Sequence, residues 1–176
     1  VPGDPTSDYI NANYIKGYGD TERAYIAAQG PTPLTLADFW RMLWEDSVNC
    51  VMMVTNLEEK GRIKCHRYWP EHVGQPLEIT PVLDITLTKE EEYPDFVVRH
   101  LTARQNGETK TLRQFHYTSW PDHGVPDSTS GTLTMLQKAR DYRATAGSST
   151  PMLVHCSAGV GRTGTLIAVD YNLEKA

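Results

Sequence analysis

The period of the apolar positions changes several times along the chain, and each change marks an element. After Pro33, the residues Leu36, Phe39, Trp40, Leu43 and Trp44 recur at three- and four-residue spacing, which predicts a helix with one packed face. Cys50-Val51-Met52-Met53-Val54 follows as a short apolar run without alternation, the pattern of a strand covered on both sides. From Leu77 to Thr118 the period falls to two. Val82, Asp84, Thr86 and Thr88 oppose Leu83, Ile85 and Leu87, and the runs Phe96 to Leu101 and Thr111 to Tyr117 are extended in the same way. Asn106-Gly107 between those runs predicts a hairpin turn, so this part of the sheet is antiparallel. A second amphipathic helix carries Met135, Leu136, Ala139 and Tyr142 and stops at Gly147-Ser148-Ser149. The strand Met152-Leu153-Val154, a glycine-containing loop and an apolar helix from Thr165 to Leu173 complete the pattern. Together these elements predict an α/β (α+β) architecture, a mixed, highly twisted sheet flanked by helices.

With 176 residues, 39% hydrophobic and 22% charged, the chain can bury one core, and no repeat or linker divides it. A single domain over residues 1–176 is expected. The net charge of −5 offers no basic surface to nucleic acid, so any anion site has to be local. Cys50, Cys65 and Cys156 are odd in number, widely spaced and without a C-x-x-C pair, which argues against a disulfide framework and a zinc site and for a reducing compartment. No apolar run approaches the length of a membrane span, and Val1-Pro2-Gly3-Asp4-Pro5 is no signal peptide. Val1 is not an initiator methionine, and the last helical pattern stops at Glu174-Lys175-Ala176 without a terminating glycine or proline; both ends predict a fragment.

Candidate chemistry lies between the last strand and helix, at His155-Cys156-Ser157-Ala158-Gly159-Val160-Gly161-Arg162-Thr163-Gly164. A strand, a tight loop and a helix N-terminus in succession make an anion site, because converging backbone N–H groups and the helix dipole both favour negative charge. Gly159 and Gly161 permit positive φ and keep side chains out of the concavity. The same field depresses the pKa of Cys156 at the start of the loop, and Arg162 at its end can fork onto two phosphate oxygens. A bare C-x5-R match arises readily by chance; the flanking His155, both glycines, Thr163 and Gly164 in a strand-to-helix context make it specific. Two further segments are ambiguous on their own. Asp122 in Trp120-Pro121-Asp122-His123-Gly124-Val125-Pro126 is either a turn-forming aspartate or a mobile acid that protonates a leaving group. The charge-rich segment from Glu58 to Pro70 reads by itself as a solvated face and gains meaning only by resemblance.

In order along the chain, Asp8-Tyr9-Ile10-Asn11-Ala12-Asn13-Tyr14-Ile15, Gln29-Gly30-Pro31, Phe39-Trp40, Lys64-Cys65, Tyr68-Trp69-Pro70, Trp120-Pro121-Asp122 and the His155 to Gly164 signature resemble the classical protein-tyrosine phosphatases. The resemblance implies a cysteine-based phosphatase fold and hydrolysis of phosphotyrosine in proteins. Carried over residue by residue, Cys156 attacks phosphorus to form a cysteinyl-phosphate, while the amides of Ser157, Ala158, Gly159, Val160, Gly161 and Arg162 and the Arg162 guanidinium bind phosphate oxygens. Asp122 serves as general acid and then as general base. Thr163 matches the hydroxyl that aids thiolate departure, His155 the neighbour that tunes the thiolate, Glu59 the carboxylate that holds the arginine, and Lys60 and Lys64 lysines of the same loop; Trp120 opens the acid loop. No metal or other cofactor is implied. Phosphotyrosine-containing proteins are the implied partners, and nucleic acid is not. The implied location is cytoplasmic, whether free or as the intracellular domain of a membrane receptor.

His123 stands where many members have phenylalanine and, with Lys64-Cys65-His66, leans toward the receptor-type branch. The family's phosphotyrosine-recognition loop would precede Val1, and its water-positioning glutamine loop would follow Ala176. Two other classes compete: a phosphotyrosine-binding pseudophosphatase, which would be expected to lose the acid or alter the cysteine loop, and a thiol enzyme of the arsenate-reductase or sulfurtransferase kind, which needs no Trp-Pro-Asp loop.

Overall fold

The apolar run at the middle of the chain becomes the middle of the sheet. In the computed structural model, which describes residues 7–121, 124–126 and 128–175, Cys50–Met53 forms strand β3, and all four of its residues are buried. Earlier in the chain come β1 (Ala12–Ile15), β2 (Tyr25–Ala28) and helix α1 (Leu36–Glu45). After β3 come a small hairpin, β4 (Glu58–Glu59) and β5 (Arg62–Ile63), then β6 (Pro76–Thr80), β7 (Leu83–Glu92), β8 (Phe96–Gln105) and β9 (Glu108–Tyr117). Helix α2 (Thr129–Thr145), β10 (Met152–His155) and α3 (Gly161–Lys175) close the order. The large sheet runs β1-β2-β10-β3-β9-β8-β7-β6. Its centre, β2-β10-β3-β9, is parallel, and β1 on one flank and β8-β7-β6 on the other are antiparallel. The expected mixed sheet flanked by helices is therefore present.

Alternation along β3 separates two cores. Val51 and Met53 join Phe39, Trp40 and Leu43 of α1, Tyr68, Trp69 and the inward residues Leu83 and Ile85 of β7. Cys50, Met52 and Val54 face Met135, Leu136 and Ala139 of α2 and Leu166 and Ile167 of α3. A strand with apolar layers on both faces has no polar positions to alternate, which is why its sequence reads as a solid run. One turn of the long antiparallel wing follows its residues as well. Asn106 and Gly107 each take positive φ, 51° and 83°, as a two-residue hairpin loop between β8 and β9 requires.

Four elements differ from the sequence reading. Strands β1 and β2 span four residues each, too few for periodicity to declare. Strand β7 continues beyond Thr88 to Glu92 across an irregularity between Leu87 and Lys89, where its charged half pairs with His100 and Arg99. Helix α3 begins at Gly161 rather than Thr165, so Arg162 and Thr163 lie in its first turn. Among the described residues no helix is long and apolar enough to cross a membrane.

Candidate active site

Strand β10 ends at His155 in the centre of the sheet, and the chain turns at once into the loop from Cys156 to Val160 and then into α3. The loop is tied down from two sides: the Gly30 amide donates to the Ser157 carbonyl at 3.0 Å, and the Val54 amide donates to the His155 carbonyl at 2.9 Å. Gly159 takes φ of 77°, and a Cβ there would lie 2.4 Å from the Ala28 carbonyl oxygen, so this position demands glycine for both conformation and space. Gly161 is different. It does not take positive φ, and a Cβ there would meet nothing within 4 Å; the expectation that both glycines supply positive φ holds for Gly159 alone. At Gly30 a Cβ would lie 2.7 Å from the Cys156 carbonyl oxygen and 2.9 Å from the Cys65 sulfur. Gly30 is thus part of the wall behind the loop, signalled in the sequence only as one member of Gln29-Gly30-Pro31.

The Cys156 side chain sits at the bottom of this loop, 5% exposed. Burial pushes its thiol pKa up, but the Thr163 hydroxyl and the amides of Thr163, Gly159 and Val160 outweigh burial, and the net shift is downward. The Gly159 amide lies 3.2 Å from the sulfur. Thr163 is fully buried, and among the described residues its hydroxyl has no hydrogen-bond partner competing with the Cys156 sulfur, whose pKa it lowers. The other thiols behave oppositely: burial pushes Cys50 and Cys65 up to about 12. His155, also fully buried, is pushed down to about 4 by loss of solvent, so it is neutral at neutral pH. Its Nδ1 is 3.0 Å from the Cys156 carbonyl oxygen and its Nε2 is 2.8 Å from the Tyr68 hydroxyl.

Arg162 reaches back over the loop. Its Nη1 and Nη2 donate to the two carboxylate oxygens of Glu59 at 2.6 and 2.9 Å, a bidentate pair with both side chains largely buried. Glu59 is fixed in turn by the Asn56 amide at 3.2 Å. Arg162 also donates to the Val54 carbonyl at 3.3 Å and, through Nη2, to the Pro121 carbonyl at 3.2 Å. That last bond brings the Trp120-Pro121 segment to the phosphate-sized loop. Trp120 is anchored by donation from Nε1 to the Gly124 carbonyl at 3.2 Å and by edge contact with Tyr117. Asp122 and His123 lie outside the described residues. Lys60 forms the turn of the β4–β5 hairpin with Gly61, both at positive φ, and Lys64 follows β5, with its amide donating to the Leu57 carbonyl at 2.8 Å. Ser157, Ala158 and Val160 line the loop's outer arc, Val160 at 74% exposure.

A strand-to-helix loop that lowers a thiol pKa and carries a carboxylate-held arginine has the chemistry to bind an anion and present a nucleophilic sulfur to it. The family model for protein-tyrosine phosphatase matches residues 1–176. The chain belongs to that family.

Among other protein-tyrosine phosphatases, it is 49% identical over 175 residues to the mouse receptor-type tyrosine-protein phosphatase eta, covering 96% of this chain and 14% of that protein. It is 46% identical over 167 residues to the rat phosphatidylinositol phosphatase PTPRQ, covering 95% of this chain and 7% of that protein. The crystal structure of the catalytic domain of human protein tyrosine phosphatase non-receptor type 18 superposes with a TM-score of 0.88 at 44% identity, covering 95% of this chain and 58% of that one. The chain thus spans a small part of the full-length phosphatases it matches and somewhat over half of the solved catalytic domain. Of the residues expected in the site, the phosphatase fold brings His155, Cys156, Arg162, Thr163 and Glu59 together and places Trp120 beside them through Pro121. Tyr68, which hydrogen-bonds to His155, and Gln114, which hydrogen-bonds to Tyr68, lie outside the expected set because only the tertiary fold brings them there.

Proposed function

We propose that this chain is a partial catalytic domain that hydrolyses phosphotyrosine in proteins through a cysteinyl-phosphate. The observation that carries this reading is the lowered pKa of Cys156 inside a loop whose closing arginine is held by Glu59. In the first step the Cys156 sulfur forms a bond to phosphorus as the bond to the tyrosine oxygen breaks, and Asp122 gives its proton to that oxygen. In the second, water attacks phosphorus, its proton passes to the Asp122 carboxylate, and the Cys156 thiolate leaves with help from the Thr163 hydroxyl. The amides of the loop and the Arg162 guanidinium stabilise the oxygens of phosphorus in both transition states. A solved complex of the related non-receptor type 18 phosphatase contains HER2 phosphopeptides, which supports a phosphopeptide as substrate here. Such substrates and the receptor-type relatives support a cytoplasmic location.

The test is the leaving group. Tyrosine's phenol has a pKa of about 10, and its expulsion gains about 10²- to 10⁴-fold from a positioned proton donor. Asp122→Ala should therefore lower kcat for a phosphotyrosyl peptide by that factor with little change in KM, and the burst-phase defect should shrink for aryl phosphates of acidic phenols. A first-step defect of equal size for every leaving group would assign Asp122 to the turn instead. A phosphoinositide tested in parallel decides whether the substrate class is that of the protein phosphatases or that named for PTPRQ.

A further inference from the structure

Arg99 lies on β8, in the antiparallel wing, yet its guanidinium stands at the root of a hydrogen-bonded chain that ends on Cys156. Sheet register sets Arg99 opposite Glu90 of β7 and opposite Gln114 of β9. Its Nε donates to Glu90 at 2.5 Å; its Nη1 donates to the Gln114 Oε1 at 2.9 Å and to the His116 Nδ1 at 3.0 Å. The Trp69 ring packs 4.6 Å from the guanidinium carbon, and the side chain is 11% exposed.

The chemistry of the donor fixes the direction of everything beyond it. A guanidinium has five N–H groups and no acceptor, so Gln114 has to turn its oxygen toward Arg99. Its Nε2 is left to donate to the Tyr68 hydroxyl oxygen at 2.7 Å. Tyr68 then directs its own proton at the His155 Nε2, 2.8 Å away. With Nε2 accepting, neutral His155 carries its proton on Nδ1 and donates it to the Cys156 carbonyl at 3.0 Å. Gln114, Tyr68 and His155 are all fully buried, so no water competes for these bonds. A second branch leaves Arg99 through His116, whose Nε2 donates to the Thr55 carbonyl at 2.7 Å, next to the Asn56 amide that holds Glu59. Were the relay reversed, a lone pair on the His155 Nδ1 would face the Cys156 carbonyl oxygen, and the loop would have to move.

We propose that Arg99 is a positioning residue for the reaction described above: by fixing the direction of the Gln114–Tyr68–His155 relay it selects the His155 tautomer and holds the Cys156 carbonyl where the loop amides converge on the sulfur. This rests on Cys156 being the nucleophile, so the test reads the His155 proton and the Cys156 thiol directly rather than turnover. Imidazole ¹⁵N shifts report the tautomer, and the pH dependence of alkylation by iodoacetate reports the Cys156 thiol, since Cys50 and Cys65 stay protonated. The unsubstituted protein should show the Nδ1–H tautomer. Gln114→Glu keeps the pair with Arg99 but offers Tyr68 only an acceptor; it should move the His155 proton to Nε2 and raise the alkylation pKa by about one unit, the scale of one lost hydrogen bond. Arg99→Lys, also without an acceptor, should keep the tautomer. Arg99→Met should raise the alkylation pKa as Tyr68→Phe does, and combining the two should add nothing.

The Nδ1–H tautomer retained in Gln114→Glu, or an Arg99→Met shift that adds in full to that of Tyr68→Phe, would overturn the proposal. Gln114→Glu decides alone if Arg99→Met does not fold. A protein with the expected tautomers but no phosphatase activity would refute the proposed function and leave the relay standing.

Discussion

Arg162 shows how much geometry a single charge needs at this site. Its planar fork is already matched to two oxygens in Glu59, at 2.6 and 2.9 Å, and the Pro121 carbonyl takes a further N–H. A lysine could supply the charge but not the two parallel donors, and its three N–H groups fall short of the four hydrogen bonds that Arg162 makes to Glu59, Val54 and Pro121. Arg162→Lys should therefore reduce kcat/KM almost as far as Arg162→Ala, by 10²-fold or more on the scale of a lost transition-state donor. Activity of the lysine variant within a few-fold of the original would show that charge alone suffices. Roles like that of Arg162 are legible in sequence because they sit a fixed number of residues from Cys156 on one loop. Arg99 and Gln114 are not, since their meeting depends on the pairing of β8 with β9 and nothing local distinguishes them from other strand residues.

At the scale of the element, the cysteine loop is rigid because one glycine has no alternative. The Cβ of Gly159→Ala would meet the Ala28 carbonyl at 2.4 Å, a backbone atom at the end of a strand paired on both sides, which has little room to move aside. That variant should lose about 1–3 kcal/mol of stability for the strained position, with turnover falling at least tenfold. Gly161→Ala is the matched control, because its Cβ enters open space at the first residue of α3, and it should change neither quantity appreciably. Urea unfolding and phosphate release on the two variants check the contrast; equal effects would mean that the loop does not depend on its contact with β2. The two glycines look alike in sequence, two residues apart in one motif, and only the course of β2 beneath the loop separates them. The same holds for the start of α3, where glycine and arginine hide the first turn from any apolar periodicity. By contrast β3, the long antiparallel run and the hairpin at Asn106-Gly107 declare themselves, because burial on both faces, alternation and positive φ each leave a local mark.

For the whole molecule, two buried neutral histidines couple stability to acid. Burial holds His155 down to about 4, and burial beside Arg99 holds His116 down to about 3, against an ordinary 6.5. Between pH 6.5 and about 4 the unfolded chain binds protons at both positions and the folded chain at neither. Stability should therefore fall with pH across that window, by up to about 3 kcal/mol per pH unit for two protons. Chemical denaturation from pH 7 to pH 4 measures the slope, and His116→Asn should remove about half of it; a flat profile would mean that one or both rings are protonated in the fold. The strand order has a consequence in time. Strand β10 slots between β2 and β3, although more than half of the chain separates it from β2 in sequence. On the ribosome, the segment between β3 and β10 takes about 5 to 20 s to synthesise at ordinary elongation rates, and through that interval β2 and β3 present unpaired edges to whatever is near. A nascent chain of this kind calls for chaperone cover. Cys156 directly follows the strand that completes the sheet, so the loop proposed to activate its thiol closes only after β10 has found its place.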